Sequence, residues 1–440
     1  MNNKKWMAIL LGGIMAASLA APCSVSAAEK TTLTFWHAMG GTNGEVLQQI
    51  VDDFNASQDE IEIKAEYQGT YDDTITKLKA AMQSDSGLPD VCQMYDVGTK
   101  FMYDSGAVIP VEDKFESTGY DKSSVMDVIS SYYTVEGKQY AMPFNVSTPM
   151  LYYNKDVFEA AGLDPETPPT TYDEVLEDAK KIVESGAAPV GYSQAIYGWF
   201  FEQQLAGLGV TYGNNDNGRT EAVTAVDFDS NGGGLKVFDM WKKLYDSGYF
   251  EDYGTTTADT QTAFFSGQVG MIIESTAILK NAVDSSPFEV GTGYLPRIEQ
   301  NDEGGVIIGG GSLWLTDTGN EANEDAAWKF IEYITTPDVQ AKWSMGTGYF
   351  AINEKAYETE DMKAYLKENP NFETAINQLK DSPVNCNTAG VLSGVQTEAR
   401  LTFNEIMPQV YDGKLTTQDA VDQLAASVNK AIENYNESIK

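Results

Sequence analysis

The chain is short of the residues that most enzyme mechanisms need. Its 440 residues hold one histidine, His37, three cysteines and three arginines: Arg219, Arg297 and Arg400. A single histidine excludes an H-E-x-x-H zinc site. It would also force any Ser-His-Asp triad to use His37, beside Trp36 at the end of a first strand, where a structural histidine is the expectation. No C-x-x-C, no G-x-S-x-G elbow and no G-x-x-x-x-G-K-[ST] phosphate loop occurs. No metal or cofactor is expected. Paired carboxylates for glycoside cleavage are the one enzymatic option left, so a secreted glycosidase is the alternative of another class. Positive charge is scarce as well: 29 Lys plus Arg stand against 65 Asp plus Glu, a formal net charge of −36. With no basic run, the chain lacks the electrostatic footprint of a nucleic-acid binder. The acidity reads as solubility.

Long apolar runs are missing after the N-terminus. At the start, Lys4 and Lys5 precede "WMAILLGGIMAASLAA" and the small residues of "SVSAAEK". This is the pattern of a secretory signal, residues 1–28, and not part of the fold. Cleavage after Ala27 or Ala28 would release a soluble chain. Cleavage before Cys23 would leave a lipid-anchored one. Either way the expectation is extracytoplasmic, at the cell surface or in the periplasm. Cys92 and Cys386 could pair, but two unpaired thiols are the expectation. The clusters "YGNNDNGRT" and "DSNGGG" read as turns, and the first lacks the acids that open and close a calcium loop.

Strand and helix patterns alternate from residue 31. "TLTFW" precedes "GEVLQQIVDDFNASQ", with Val46, Leu47, Ile50, Val51 and Phe54 at helical spacing. "EIEIKAEY" places Ile61, Ile63, Ala65 and Tyr67 on one face of a strand. A helix and the buried run "LPDVCQMY" follow. This order predicts a parallel sheet covered by helices. The length predicts two lobes rather than one core. "PPTTYDEVLEDAKKIVES" is a loop and then a helix whose Thr171 and Glu174 form a capping box. "GQVGMIIES", "FEVGTGYLP" and "GVIIGGGSLWLT" return to sheet, and a helix stops near Pro337. The last helix carries Val421, Leu424, Val428, Ile432 and Tyr435 on one stripe. Between these regions, "PFNVSTPMLYYNKD" (143–156) is too aromatic for a solvent loop and too polar for an ordinary core strand.

"TFWHAM", "PFNVSTPMLYYNKDVFEAAGLDP", "IIGGGSLW" and "GTGYFAIN" together resemble the extracytoplasmic solute-binding proteins of ABC importers. Within their carbohydrate-uptake group, the chain is most similar to glycerol-3-phosphate binders, over about residues 31 to 435. The resemblance implies an α/β, two-lobed periplasmic-binding fold with several crossovers and the ligand in a cleft between lobes. It implies a first lobe of residues 29–145 plus 276–335 and a second of 146–275 plus 336–440. It also implies a monomer that hands a phosphorylated glycerol compound to permease subunits, with a neutral-sugar binder of the same class as the alternative. Residues 143–156 would then be the first crossover, with Asn145, Ser147 and Thr148 lining the cleft while Leu151, Tyr152 and Tyr153 bury.

Carried over by position, the implied ligand contacts are Tyr71, Asp96, Ser147, Trp199, Ser275, Gly310, Tyr349 and Arg400. Asp96 stands where such relatives have Glu and would accept hydrogen bonds from glycerol hydroxyls. Ile196 stands where a second wall tryptophan is expected. An aliphatic residue there would admit a head group beyond the phosphate, so glycerophosphodiesters such as glycerophosphocholine join glycerol-3-phosphate. The physical core of this reading is Arg400, a planar fork of donors suited to an anion. Its alternative is an ordinary pairing with Glu398 or Glu405 on its own helix.

Overall fold

A computed structural model describes residues 30–84 and 87–439. The expected signal segment, with Cys23 and both cleavage positions, lies outside them. The first-lobe strands open as expected. β1 (Thr31–His37) pairs in parallel with β2 (Ile61–Tyr67) and with β3 (Val91–Tyr95). The helices between them, α1 (Gly41–Ser57) and α2 (Tyr71–Met82), follow from their periodicity: Leu47, Ile50, Val51 and Phe54 of α1 are all buried. In α2, Thr70 and Asp73 close a capping box that satisfies the first free amides. The predicted apolar face of β2 runs out before its end, because Ile61 and Ile63 are buried while Tyr67 is 58% exposed. His37 is buried between Phe35 and Tyr67, and its Nδ1 accepts from the Met39 amide at 3.3 Å. Burial holds its pKa down at about 4.

Three further strands complete the first sheet: β4 (Val108–Ile109), β5 (Met142–Ser147) and β10 (Gly309–Thr316). β10 runs antiparallel to β3, β4 and β5, so the sheet is mixed rather than parallel throughout. The second sheet consists of β6 (Pro149–Asn154), β7 (Val190–Ser193), β8 (Val269–Ser275) and β9 (Val290–Gly293), in the order β9-β6-β8-β7. Its covering helices are α3 (Tyr172–Ser185), α4 (Gly198–Gly207), α5 (Gly233–Asp246), α9 (Gln396–Tyr411) and α10 (Thr417–Ser438). The Thr171–Glu174 capping box forms. Val421, Leu424, Val428 and Ile432 of α10 are buried as the stripe predicts.

Only Thr148 separates β5 in one sheet from β6 in the other. This crossover lies beside a second one. Thr276 donates its amide to Thr148 O at 2.8 Å, and the Thr148 amide donates to Thr276 Oγ1 at 3.1 Å. Leu151, Tyr152 and Tyr153 bury beyond it, as expected.

Sheet membership departs from the expected lobe boundaries. β9 falls inside 276–335 but pairs with β6 in the second sheet. α6 (Glu321–Ile334) ends short of Pro337, and that proline opens a new helix, α7 (Pro337–Thr347), at its first position. α7 falls inside 336–440 yet belongs to the first lobe: Lys342 pairs with Asp53 of α1 at 2.5 Å, and Trp343 stacks on Phe144 of β5 at 4.6 Å. Periodicity reports that a segment is a strand or helix; it does not report which sheet recruits it. Cys92 and Cys386 are free. The cluster 214–218 is a turn in which Asn215, Asp216 and Asn217 all have left-handed backbones, φ 55°, 53° and 59°.

Candidate ligand site between the lobes

Arg400 lies in the second turn of α9 and is 7% exposed. It does not pair with Glu398 or Glu405. Its Nε and Nη2 donate to the two carboxylate oxygens of Glu202, each at 2.7 Å, and Nη2 also donates to Asp96 Oδ2 at 2.9 Å. Glu202 sits on α4 of the second lobe; Asp96 directly follows β3 of the first. The ion pair therefore bridges the lobes. These bonds leave Nη1 without a protein partner among the described residues. Burial opposes the charge of Arg400, but Asp96 and Glu202 more than offset that and hold its pKa well above the usual value. Burial pushes the Glu202 carboxyl up against the pull of Arg400. Two carboxylates facing one guanidinium leave a formal excess of one negative charge.

The first lobe supplies an aromatic wall. Tyr71, at the start of α2, stacks on Tyr95 at 5.1 Å and 9°. Its hydroxyl accepts from Asn145 Nδ2 at 2.7 Å, while Asn145 Oδ1 accepts from Gln93 Nε2 at 2.7 Å. The Tyr349 hydroxyl lies against Asn145 and Tyr71, and its ring stacks on Trp343 at 5.6 Å. Gly310 meets the same asparagine: a Cβ there would sit 1.8 Å from the Asn145 carbonyl oxygen, and φ is +93°. Only glycine fits. The next strand pair, Ser147 with Gly309, leads to Trp199, whose ring would lie 2.7 Å from a Cβ on Gly309. Trp199 Nε1 is buried without a partner among the described residues. Tyr197 then closes the circle, 6.2 Å from Trp199 and 6.0 Å from the Arg400 guanidinium.

The structure thus links Tyr71, Asp96, Ser147, Trp199, Gly310, Tyr349 and Arg400 through a continuous chain of contacts. Asn145 belongs with them. Thr148, expected to line the cleft, is instead taken up by the crossover, where it also accepts from Gln378 Nε2 at 3.3 Å. Ser275 stands opposite Pro149 at the crossover, and its Oγ accepts from the Ala277 amide at 3.1 Å. Ile196 is 1% exposed in the second-lobe core, with its amide on Gly254 O at 2.9 Å. The sequence reading missed Glu202 and Tyr197. Glu202 had a signal: an acid within "GWFFEQQL", among residues that all bury, needs a counter-charge. Glu274 is a further buried carboxylate. Burial pushes it up, against hydrogen bonds from Gln261 and the Ser275 amide.

The chain matches the family model "Bacterial extracellular solute-binding protein" over residues 49–374. It is 31% identical over 417 residues to the sn-glycerol-3-phosphate-binding periplasmic protein UgpB of Escherichia coli strain K12, covering 93% of this chain and 94% of that one. Among solved structures, UgpB from Mycobacterium tuberculosis in complex with glycerophosphocholine superposes with a TM-score of 0.79 at 20% identity, over 92% and 99% of the two chains. The cyclic alpha-maltosyl-1,6-maltose binding protein from Arthrobacter globiformis superposes at 0.75 with 26% identity, over 92% and 100%. Both neighbours share the two-lobed architecture. No helix among the described residues is long and apolar enough to cross a membrane. The chain belongs to the bacterial extracellular solute-binding proteins, and its role is to capture a small solute for an ABC importer rather than to catalyse a reaction.

Proposed function

We propose that this protein captures a glycerophosphodiester, glycerophosphocholine foremost, with glycerol-3-phosphate as a weaker ligand. One observation carries the choice: Arg400 is already compensated by Asp96 and Glu202, with only Nη1 free. A dianionic monoester would add two charges to a site that is already formally negative. A phosphodiester adds one, and a quaternary ammonium on the same ligand returns a positive charge to a pocket walled by Tyr71, Tyr197 and Trp199. The name of the UgpB relatives and the ligand of the mycobacterial structure support the phosphoglycerol class. In this reading Asp96 and Asn145 meet the glycerol hydroxyls, and the phosphate takes Nη1 of Arg400, the Tyr349 hydroxyl and Ser147. Ser275 adds its hydroxyl from the crossover.

The two lobes close on the ligand across the paired crossovers, and permease subunits read the closed form. The protein acts as a monomer. Residues 1–28 direct secretion, ending in release after Ala27 or Ala28 or in a lipid on Cys23. Calorimetry tests the ligand: glycerophosphocholine should bind at least tenfold tighter than glycerol-3-phosphate, and Arg400→Ala should abolish both. Equal or reversed preference overturns the proposal.

A second reading has its own observation. The excess carboxylate at Arg400, with buried Glu274 acting on the same Tyr197, equally suits the hydroxyls of a neutral sugar stacked on the aromatic wall. Maltose and maltotriose in the same calorimeter separate the two: binding of either sugar without phosphodiester binding establishes this reading.

A further inference from the structure

A large cavity lies away from Arg400. It has a volume of about 580 Å³ and opens between the loop after β9, the start of α3 and helix α8 (Asn371–Asp381). That volume is typical of small-molecule sites, at roughly 300–1,000 Å³. Its walls are largely apolar, with Pro168, Leu295, Pro296, Ile298 and Val306 among them.

Most polar groups on these walls are already committed. Gln378 donates to Pro149 O at 2.7 Å and accepts from the Leu295 amide at 2.5 Å. Ser382 accepts from the Val306 amide at 3.1 Å and donates to Gln378 O at 2.9 Å. Gln204 is held by Tyr172 and Trp241. The phenol of Tyr294 donates to Asp381 at 2.7 Å.

Arg297 differs. Its backbone is pinned on both sides: the amide donates to Thr170 O and the carbonyl accepts from the Tyr172 amide, each at 2.9 Å. Its guanidinium makes no hydrogen bond or ion pair among the described residues. The other two arginines are held, Arg400 by carboxylates through Nε and Nη2 and Arg219 by main-chain carbonyls. In a chain with 65 acids and 29 bases, Arg297 is an exposed guanidinium at the rim of an apolar cavity, committed only through its electrostatic pull on the Asp302 carboxyl, and so offers an anion site.

We propose that this cavity is a second ligand site, separate from the interlobe cleft, for a small carboxylate with an aromatic or branched apolar body. The carboxylate sits on Arg297 and the body enters among Leu295, Pro296, Ile298 and Val306. Asp381, the acid on the rim, disfavours an anion placed at the opposite end and so fixes the orientation.

Calorimetry on the full chain tests this with three probes of one shape: 1-naphthoate, 1-naphthalenemethanol and 1-naphthylmethylammonium. Naphthoate should bind saturably, one per chain, and at least tenfold tighter than the other two. Arg297→Ala should remove that preference with the melting temperature unchanged, and Arg297→Lys should restore part of it. Ile298→Trp, which fills the cavity from another wall, should abolish binding of all three. The proposal is overturned by absence of saturable naphthoate binding, by equal binding in Arg297→Ala and Ile298→Trp, or by tighter binding of the ammonium probe, which would assign the site to Asp381.

Discussion

Arg400 and Arg219 are the same side chain, one buried and one half-buried, in opposite surroundings. Arg400 faces two carboxylates from two lobes, and its pKa rises. Arg219 follows the left-handed turn 215–217 and donates only to carbonyls: Gly390 O at 3.0 and 2.9 Å, Tyr132 O at 3.0 Å, and Ala389 O. Burial pushes its pKa down to about 10. His37, buried likewise without a carboxylate, also shifts down. The difference teaches which guanidinium can exchange partners. Main-chain carbonyls cannot leave, so Arg219 is a strap between distant segments. Carboxylate side chains on separate lobes can move apart, so Arg400 can trade Asp96 for a ligand.

The largest expected break of this contrast is Glu202→Ala. It leaves a buried guanidinium half-compensated and should cost about 3–5 kcal/mol in chemical denaturation. Arg219→Ala strands buried carbonyls and should cost roughly 3 kcal/mol, yet leave ligand preference untouched, since Arg219 holds segments rather than solute. Gly310→Ala should cost about 2 kcal/mol from its backbone conformation, and more if the Asn145 carbonyl cannot retreat. It should weaken ligand binding together with stability. Asp96→Asn changes stability little. It should raise glycerol-3-phosphate affinity roughly tenfold relative to glycerophosphocholine, about 1.4 kcal/mol, by removing the competing charge; an unchanged ratio would show that Asp96 does not oppose the anion.

The smallest effect is a pH slope. The unfolded chain protonates His37 near pH 6.5, whereas the folded chain refuses the proton until about pH 4. His37 therefore removes stability as pH falls through that window. Glu202 and Glu274, both raised by burial, act in the opposite direction, because the folded chain takes up their protons first. In His37→Gln the acid limb of melting temperature against pH should flatten; an unaltered limb would place the titration elsewhere.

Much of the fold was legible. Period-two and period-3.6 patterns located β1, α1, β2 and α10, and Thr171 with Glu174 marked the start of α3, because local side-chain chemistry decides those features. The allegiance of β9 and α7 was not legible, since it depends on partners far along the chain. At the site, the motif resemblance pointed to Tyr71, Asp96, Gly310, Tyr349 and Arg400, which the structure does bring into contact. It overestimated Thr148, which the crossover consumes, and passed over Glu202, although an acid in a buried helix signals an unseen cation.

By itself the amino-acid sequence determined the class: an α/β chain with one histidine, no basic surface and the motifs of a solute-binding protein. Only the tertiary structure decided what Arg400 is. Its two counter-charges lie 198 and 304 residues away. The reach of a carboxylate is a few ångströms in space, and no spacing along the chain encodes it.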